Sequence, residues 1–449
     1  MHVPLSDPRK AEVFRFVRAD YADGEARLVY AFDDDLELVE RIVFPQAPAL
    51  LPERAAAFTT ALKLLHLIAG VSYYKAGVPR QIRIDHGALD AQTAELLDAL
   101  YLHGLGEFAY QNGLDLSECI HFPRAGTAAP APAPVLGLPT RSLLPVGGGK
   151  DSLVSAELLK QHGENTTAVW VGNSPLIAAC VAATGLPGLN ITRQLAPELF
   201  EYNKAGAWNG HIPVTAINSA ILVVAALLYG YDTVVFSNER SASSATLEYD
   251  GRAVNHQWSK GWEFEQMLAA WVRAQVAADL NYCSLLRPLS ELAVTRLFAR
   301  ELRYDAVFSS CNRNFRILGP RPVDRWCGQC PKCHFVFLAL APFVPKPRLL
   351  NIFGRNLLDD ESQQQGFDAL LEFREHKPFE CVGEGRESRA ALQALSQRPE
   401  WREDALVARF RSVVLPQLDA TELALEPLLQ PAGPHAVPPR LAGILDAYR

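Results

Sequence analysis

Residues 147–152 read Gly-Gly-Gly-Lys-Asp-Ser and directly follow the apolar run Leu143–Val146. Glycine lets the backbone take positive φ and come close to a ligand. If a helix starts at Lys150, the unpaired N–H groups of its first turn and its dipole favour an anion. Gly147, Gly148 and Gly149 would then cradle phosphate, Lys150 would add a cation, and Ser152 a hydrogen-bond donor. Asp151 would repel phosphate unless Mg²⁺ bridges the two, so an aspartate here suggests a metal-assisted nucleotide site. The plainer alternative is a glycine-rich turn in which Asp151 or Ser152 merely caps the helix.

A second group of reactive residue types is Cys327-x-x-Cys330-x-x-Cys333, with Cys311 a short loop upstream. Four thiolates at such spacing can close a tetrahedral zinc shell that keeps no open position for catalysis, and His334 is an alternative ligand. Reduced thiols at a helix start are the bland reading, and a low-pKa reactive thiol is the sharp one. The same stretch is basic, with Arg313, Arg316, Arg321, Arg325 and Lys332 against Asp324 alone. Such charges are usually a solvated face, but they can also hold a substrate diphosphate.

Between these groups lie three polar clusters. Glu239 and Arg240, in Ser237-Asn238-Glu239-Arg240-Ser241, follow a buried apolar run. At the C-terminal end of a strand, Glu239 would share Mg²⁺ with Asp151, and Arg240 would stabilise charge on an α-phosphate. His211 precedes an apolar helix, while His256 and Lys260 are four apart at another helix start. Cys381 stands alone in Phe379-Glu380-Cys381-Val382-Gly383. His211, His256, Lys260 and Cys381 form an acid–base pool within which the sequence does not choose; loop capping, or a structural thiol for Cys381, is the commoner fate of such residues.

The elements that must position these residues follow from patterning. Alternating stretches at Val13–Val17, Ala26–Phe32 and Leu36–Phe44 predict strands, with turns at Asp23-Gly24 and Asp33-Asp34-Asp35. Pro52 opens a helix ended by Gly70, a short strand covers Gln81–Ile84, and a further helix starts at Asp90. Together these make a mixed α+β unit over residues 1–124. The Ala/Pro/Gly-rich segment 125–140 reads as a semi-rigid linker. Residues 141–345 repeat strand–loop–helix, with strands at Leu143–Val146, Ala168–Val171, Thr233–Phe236 and Ala306–Phe308, which predicts a doubly wound, mainly parallel α/β sheet. Residues 346–449 read as a mostly helical tail with a Gly-rich loop at Val382–Gly385.

Composition narrows the function. A chain of 449 residues that is 49% hydrophobic and 21% charged is an ordinary globular protein of two domains or slightly more. A formal charge of −7 argues against a general nucleic-acid or membrane binder. The N-terminus lacks a signal-peptide pattern, and the most apolar run, Val214–Tyr229, is too short to span a bilayer. Eight cysteines, four of them gathered together, suggest reduced thiols and a cytoplasmic setting.

The loop at 147–152 fails the Walker pattern, both in its spacing and in carrying Asp151. It resembles the Ser-Gly-Gly-x-Asp-Ser loop of the PP-loop ATP pyrophosphatases, with Gly147 in place of the first serine. That resemblance implies a PP-loop/HUP-type core, binding of ATP pyrophosphate, and an adenylate. The Cys-rich segment is also similar to the zinc module of the 7-cyano-7-deazaguanine synthases of that superfamily. Taken in order, Gly147–Ser152, His211–Ser219, Ser237–Ser243, Asn255–Lys260 and Cys327–Cys333 resemble the UDP-N-acetylmuramoyl-L-alanyl-L-glutamate epimerases of peptidoglycan synthesis, over nearly the whole chain. The resemblance implies ATP- and Mg²⁺-dependent inversion of a terminal L-glutamate through an acyl adenylate, with a UDP-muramoyl dipeptide as substrate and a ligase upstream. The alternatives are another adenylate-forming PP-loop enzyme, such as a deazaguanine synthase or an amide ligase, and a zinc-stabilised nucleotide-binding regulator.

Overall fold

A computed structural model describes residues 6–125, 132–249, 251–315, 322, 324–446 and 448. Its strands are β1 (Val13–Ala22), β2 (Glu25–Phe32), β3 (Leu38–Val43), β4 (Gln81–Ile84), β5 (Ser142–Pro145), β6 (Thr166–Val171), β7 (Gly188–Gln194), β8 (Thr233–Phe236), β9 (Leu247–Tyr249), β10 (Arg252–Val254) and β11 (Asn281–Ser284). Nine of them form one sheet in the order β11-β8-β5-β6-β7-β3-β2-β1-β4, and β9 and β10 make a separate hairpin. The run from β11 to β7 is parallel throughout. β7, β3, β2 and β1 then pair antiparallel, and β4 returns parallel to β1.

Local chemistry sets the hairpins. Asp23 and Gly24 both take positive φ, +51° and +80°, which lets two residues reverse the chain between β1 and β2 with the right-handed twist of the strands. In the parallel half, alternation assigns side chains to opposite faces. Leu143, Val169, Val234 and Tyr282 point into one core, and Leu144, Ala168, Val235 and Cys283 into the other. Helices Ala55–Ala69, Val214–Tyr229 and Trp262–Trp271 cover the first face. Helices Lys150–Gln161, Glu291–Phe298 and Pro331–Leu340 cover the second. This is an α/β fold on a large, mostly parallel sheet with helices on both faces.

The N-terminal strands belong to that same sheet. β3 pairs with β7 through Arg41↔Gln194, Ile42↔Arg193 and Val43↔Thr192. The seam is clasped by a buried bidentate ion pair: the Arg193 guanidinium donates to Glu40 Oε1 at 2.7 Å and Oε2 at 3.1 Å, and to Ser72 Oγ at 2.9 Å. The end of the Pro-rich segment is tied down as well, since the Leu136 and Leu138 N–H groups donate to the Asp279 carboxylate at 2.9 and 3.2 Å.

One expected strand is absent. Ala306–Phe308 forms a turn, with the N–H groups of Val307 and Phe308 donating to the Tyr304 carbonyl at 2.9 and 3.0 Å. Phe308 is buried between Phe298 and Trp326, its ring tilted on the first and edge-on to the second, so the short apolar run reflects core filling instead of pairing. From residue 346 on, the described residues form helices and helical turns without a strand. They pack into the second core, where Trp401 is fully buried. Pro52–Tyr74 is long and apolar enough to cross a membrane by composition, yet 72% of its apolar window is buried inside this fold.

Candidate active site and a four-thiol centre

The helix Lys150–Gln161 starts from Gly149, which has no side chain to cap it. Neither Asp151 nor Ser152 takes the capping role; the Ser152 hydroxyl donates to the Gly149 carbonyl at 3.3 Å. Gly148 sits at φ +83°, and a Cβ there would lie 2.8 Å from Leu176 Cδ2. A Cβ on Gly149 would lie 2.8 Å from Ser310 Oγ. Gly147 is different, since a Cβ at that position would meet open space.

This loop opens onto a cavity of about 340 Å³ at the C-terminal ends of β5, β6 and β8. The chain runs outward from β5 to β7 and returns on the other side at β8, so the cavity lies at the switch point where open α/β sheets bind ligands. Val169, Trp170, Ile177, Leu222 and Phe236 supply an apolar wall. Gly147, Gly149, Asp151, Ser152, Lys260 and Lys332 supply a polar, cationic one. Ser237 Oγ is fully buried against the cavity without a hydrogen-bond partner, as a group waiting for a ligand would be. An uncapped helix start, a close-approach glycine, two ammonium groups and an orphan hydroxyl fit a nucleotide triphosphate.

The charges are arranged differently from the sequence expectation. Lys150 is buried and does not line the cavity; its ammonium is held between Asp151, at 2.5 Å, and Glu291. Burial disfavours that charge, but the two carboxylates keep Lys150 protonated. Lys260 and Lys332 supply the cations that face the cavity. Glu239 is buried close enough to Asp151 and Glu291 to feel their charge; burial and those two neighbours raise it to about 8. A bound Mg²⁺ would relieve this crowding. Asp151 and Glu239 would hold it, although their oxygens do not join a three-donor cluster within 4.8 Å among the described residues. Arg287, which the sequence reading missed, is paired with Glu265 at 2.7 Å. It also donates to the backbone carbonyls of Glu239 (2.7 Å) and Lys260 (2.6 Å), fixing both site segments.

The acid–base pool splits in two. Lys260 and Cys381 line the cavity, and the Lys260 ammonium donates to Cys381 Sγ at 3.2 Å. The Lys332 ammonium donates to the Cys381 carbonyl. Behind Cys381 stands His256, close enough for its charge to act on the thiol and hydrogen-bonded through Nδ1 to Glu107 Oε2. His211 lies against His256 with ring centroids 4.2 Å apart and its Nδ1 3.8 Å from Glu107. Burial opposes charge on His256, but Cys381 and Glu107 overcome it and raise the imidazole to about 9. Burial, with the His256 and Lys260 charges, pushes His211 down to about 3. Burial would raise the Cys381 thiol, yet Lys260, His256 and Lys332 together hold it well below its ordinary value. Glu107 was missed in the sequence, where nothing links it to a histidine 149 residues away.

On the far side of Lys332, Cys311, Cys327, Cys330 and Cys333 bring their sulfurs within 4.8 Å of one another. Three Sγ–Sγ separations are 3.5, 3.8 and 4.0 Å. A tetrahedral zinc with bonds of about 2.3 Å has ligand–ligand edges of about 3.8 Å, so the four thiols fit that ion. Gly328 at φ +65° makes the tight turn, which Arg355 holds by donating to its carbonyl at 2.6 Å. His334 is not a member: its Nε2 pairs with Gln363 Oε1 at 2.7 Å and its ring stacks on Phe367.

The proposed arginines are dispersed. Arg240 lies outside the cavity lining and reaches the Pro288 carbonyl at 3.4 Å. Arg325 is engaged by the carbonyls of Asp305 (2.8 Å) and Phe308 (3.1 Å), where it braces the turn. Arg313 sits in the turn Asn312–Phe315, whose end residues line the cavity. Arg316 and Arg321 lie outside the described residues.

Residues 5–285 match the family model of the MurL N-terminal domain, and residues 307–424 match that of the MurL C-terminal domain. A protein of Xanthomonas oryzae pv. oryzae (strain MAFF 311018), named UDP-N-acetyl-alpha-D-muramoyl-L-alanyl-L-glutamate epimerase, is 63% identical over 438 residues, covering 97% of each chain. Relatives of the same name from a Micromonospora species and from Salinispora tropica are 44% and 42% identical. Each of these two alignments covers 99% of this chain, with 100% of the Micromonospora protein and 98% of the Salinispora protein. With both halves matched and relatives aligned end to end, the chain belongs to the MurL epimerase family.

Proposed function

We propose that this protein uses ATP and Mg²⁺ to invert the terminal L-glutamate of UDP-N-acetylmuramoyl-L-alanyl-L-glutamate, through an acyl adenylate, releasing AMP and pyrophosphate. The observation that carries the reading is one cavity holding both a phosphate-type loop and a thiol poised between an imidazole and an ammonium group. An ionised carboxylate resists loss of the neighbouring α-proton, because two negative charges would share one small group. Conversion to an adenylate removes the first charge and acidifies the α-carbon, after which acid–base exchange inverts it. Hydrolysis then frees the product.

In this reading Gly147–Ser152 hold the triphosphate through backbone N–H groups. Lys260 and Lys332 neutralise the charge developing as pyrophosphate leaves, because Lys150 is taken up by Asp151 and Glu291 and Arg240 lies outside the cavity lining. The apolar wall around Trp170 and Phe236 takes the adenine. Mg²⁺, held by Asp151 and Glu239, would supply charge neutralisation on the phosphates. The four thiols around Cys330 hold a structural zinc. A cytoplasmic ligase that adds L-glutamate to the UDP-muramoyl-alanine precursor would supply the substrate.

Incubation with ATP, Mg²⁺ and the L-Glu dipeptide nucleotide tests the proposal. AMP, pyrophosphate and a D-Glu product are expected, with solvent deuterium at the α-carbon in D₂O. AMP formed only when an amine is added would support a ligase instead. Absence of AMP under every condition would leave a nucleotide-binding regulator.

A further inference from the structure

The cavity carries one function further than the epimerase reading on which this inference rests: it distinguishes among the four acid–base residues. His211 and His256 do not line it, whereas Lys260 and Cys381 do. Lys260 is a donor there, its ammonium directed at the sulfur at 3.2 Å, and a proton acceptor cannot be a group already carrying its proton. Cys381 has the opposite character. Its sulfur receives the Lys260 ammonium at 3.2 Å, the charge of His256 acts on it from close by, and its carbonyl is fixed by Lys332. His256 is itself held by Glu107. The residue is thus held at its sulfur by Lys260 and at its carbonyl by Lys332, and is presented to the cavity that also receives the phosphate loop.

We propose that Cys381 is the base that takes the α-proton of the activated glutamyl group, with His256 and Glu107 as positioning residues behind it. The Cα–H bond breaks and an S–H bond forms. The electron pair moves into the acyl carbonyl as an enolate, next to the ammonium of Lys260. The planar carbon then accepts a proton on its opposite face from water or an ammonium group, and that face change is the inversion. Once product leaves, the thiol returns its proton to water, and the surrounding cations restore the thiolate, consistent with its lowered pKa.

The full-length protein with UDP-MurNAc-L-Ala-L-Glu, ATP and Mg²⁺ in D₂O provides the test. Two rates are read separately: ATP–pyrophosphate exchange, which reports adenylation, and α-carbon deuteration. For Cys381→Ser, deuteration and D-Glu formation should fall about 1,000-fold, the middle of the range of general-base effects, while pyrophosphate exchange falls by less than about tenfold. Glu107→Gln should lower kcat for deuteration about tenfold and leave KM within about twofold, a split that mere loss of packing would not produce. Deuteration at the wild-type rate in Cys381→Ser overturns the assignment and leaves the epimerase reading standing. So does an acyl group found on Cys381 after acid quench, which would make it a nucleophile. Wild-type protein that forms no AMP with this substrate overturns both readings together. Should Cys381→Ser lose pyrophosphate exchange as well, wild-type protein alkylated at Cys381 and checked by thermal melting decides. Retained pyrophosphate exchange with lost deuteration supports the base; any other pattern overturns it.

Discussion

Cys330 and Cys381 are both half-buried thiols, yet their surroundings differ in kind. Around Cys330 the nearest polar partners are other thiols, at 3.5 and 4.0 Å, so the group has meaning only as a set that a soft cation would close. Around Cys381 the partners are Lys260 and His256, so a single thiolate is stabilised by the protein itself and faces a cavity. The two meet through Lys332. It sits inside the cysteine turn, between Cys330 and Cys333, and its ammonium reaches across to the Cys381 carbonyl. The difference teaches that the four-thiol turn reaches the cavity through one of its own residues, since it carries the lysine that holds the Cys381 backbone.

That contrast can be broken most decisively through stability. Cys330→Ser should lose one zinc per chain and several kcal/mol of folding stability, on the order of 5, because binding energy of a structural zinc is folding energy. Cys381→Ser should cost less than about 1 kcal/mol. Metal analysis with thermal melting checks both, and equal losses in the two variants would erase the distinction. Next in size, Lys260→Met should lower epimerisation on the order of 100-fold, since sulfur and leaving group lose the same cation; steady-state kinetics reads it.

A pH profile sharpens the comparison further. A thiol whose pKa is lowered stays ionised as pH falls and loses reactivity only below that lowered value. Alkylation of Cys381 should therefore change less than about threefold from pH 9 to 7, where an ordinary thiol near 8.5 slows about 25-fold. In Lys260→Met the slope should steepen toward the ordinary one, as peptide mass mapping would show. The smallest effects belong to the phosphate loop. Gly148→Ala should cost about 1–2 kcal/mol, because φ is +83° and Leu176 is in the way. Gly147→Ser, entering open space, should stay within about 0.5 kcal/mol of wild type in denaturant titration.

Local periodicity made the parallel strands β5, β6 and β8, the Asp23-Gly24 turn and the helix at Lys150 legible in the sequence, but not β7 or β11 of the same parallel run. The cysteine cluster was legible too, because three of its members are three residues apart. What the sequence hid is non-local. Lys150 reads as a phosphate ligand until Glu291, 141 residues away, is seen to claim its ammonium. His256 and Cys381 read as members of one acid–base pool, but only the fold brings them together across a separation of 125 residues. Ala306–Phe308 misled because a short apolar run looks alike as a buried strand and as a buried turn. The junction of β3 with β7 left no trace, since either strand alone is compatible with a separate sheet.

That junction has a consequence in time. β3 is complete at Val43, but its partner β7 begins at Gly188, about 145 residues later. At a synthesis rate of about 5–20 residues per second, the newborn chain carries a bare strand edge for roughly 7–30 s. Bare edges invite pairing with the wrong chain, and charges on them discourage it. Glu40 and Arg41 lie on that edge. Glu40, which ends as half of the buried clasp with Arg193, is during synthesis the guard of an open flank. One carboxylate thus first keeps neighbouring chains away and then fastens its own.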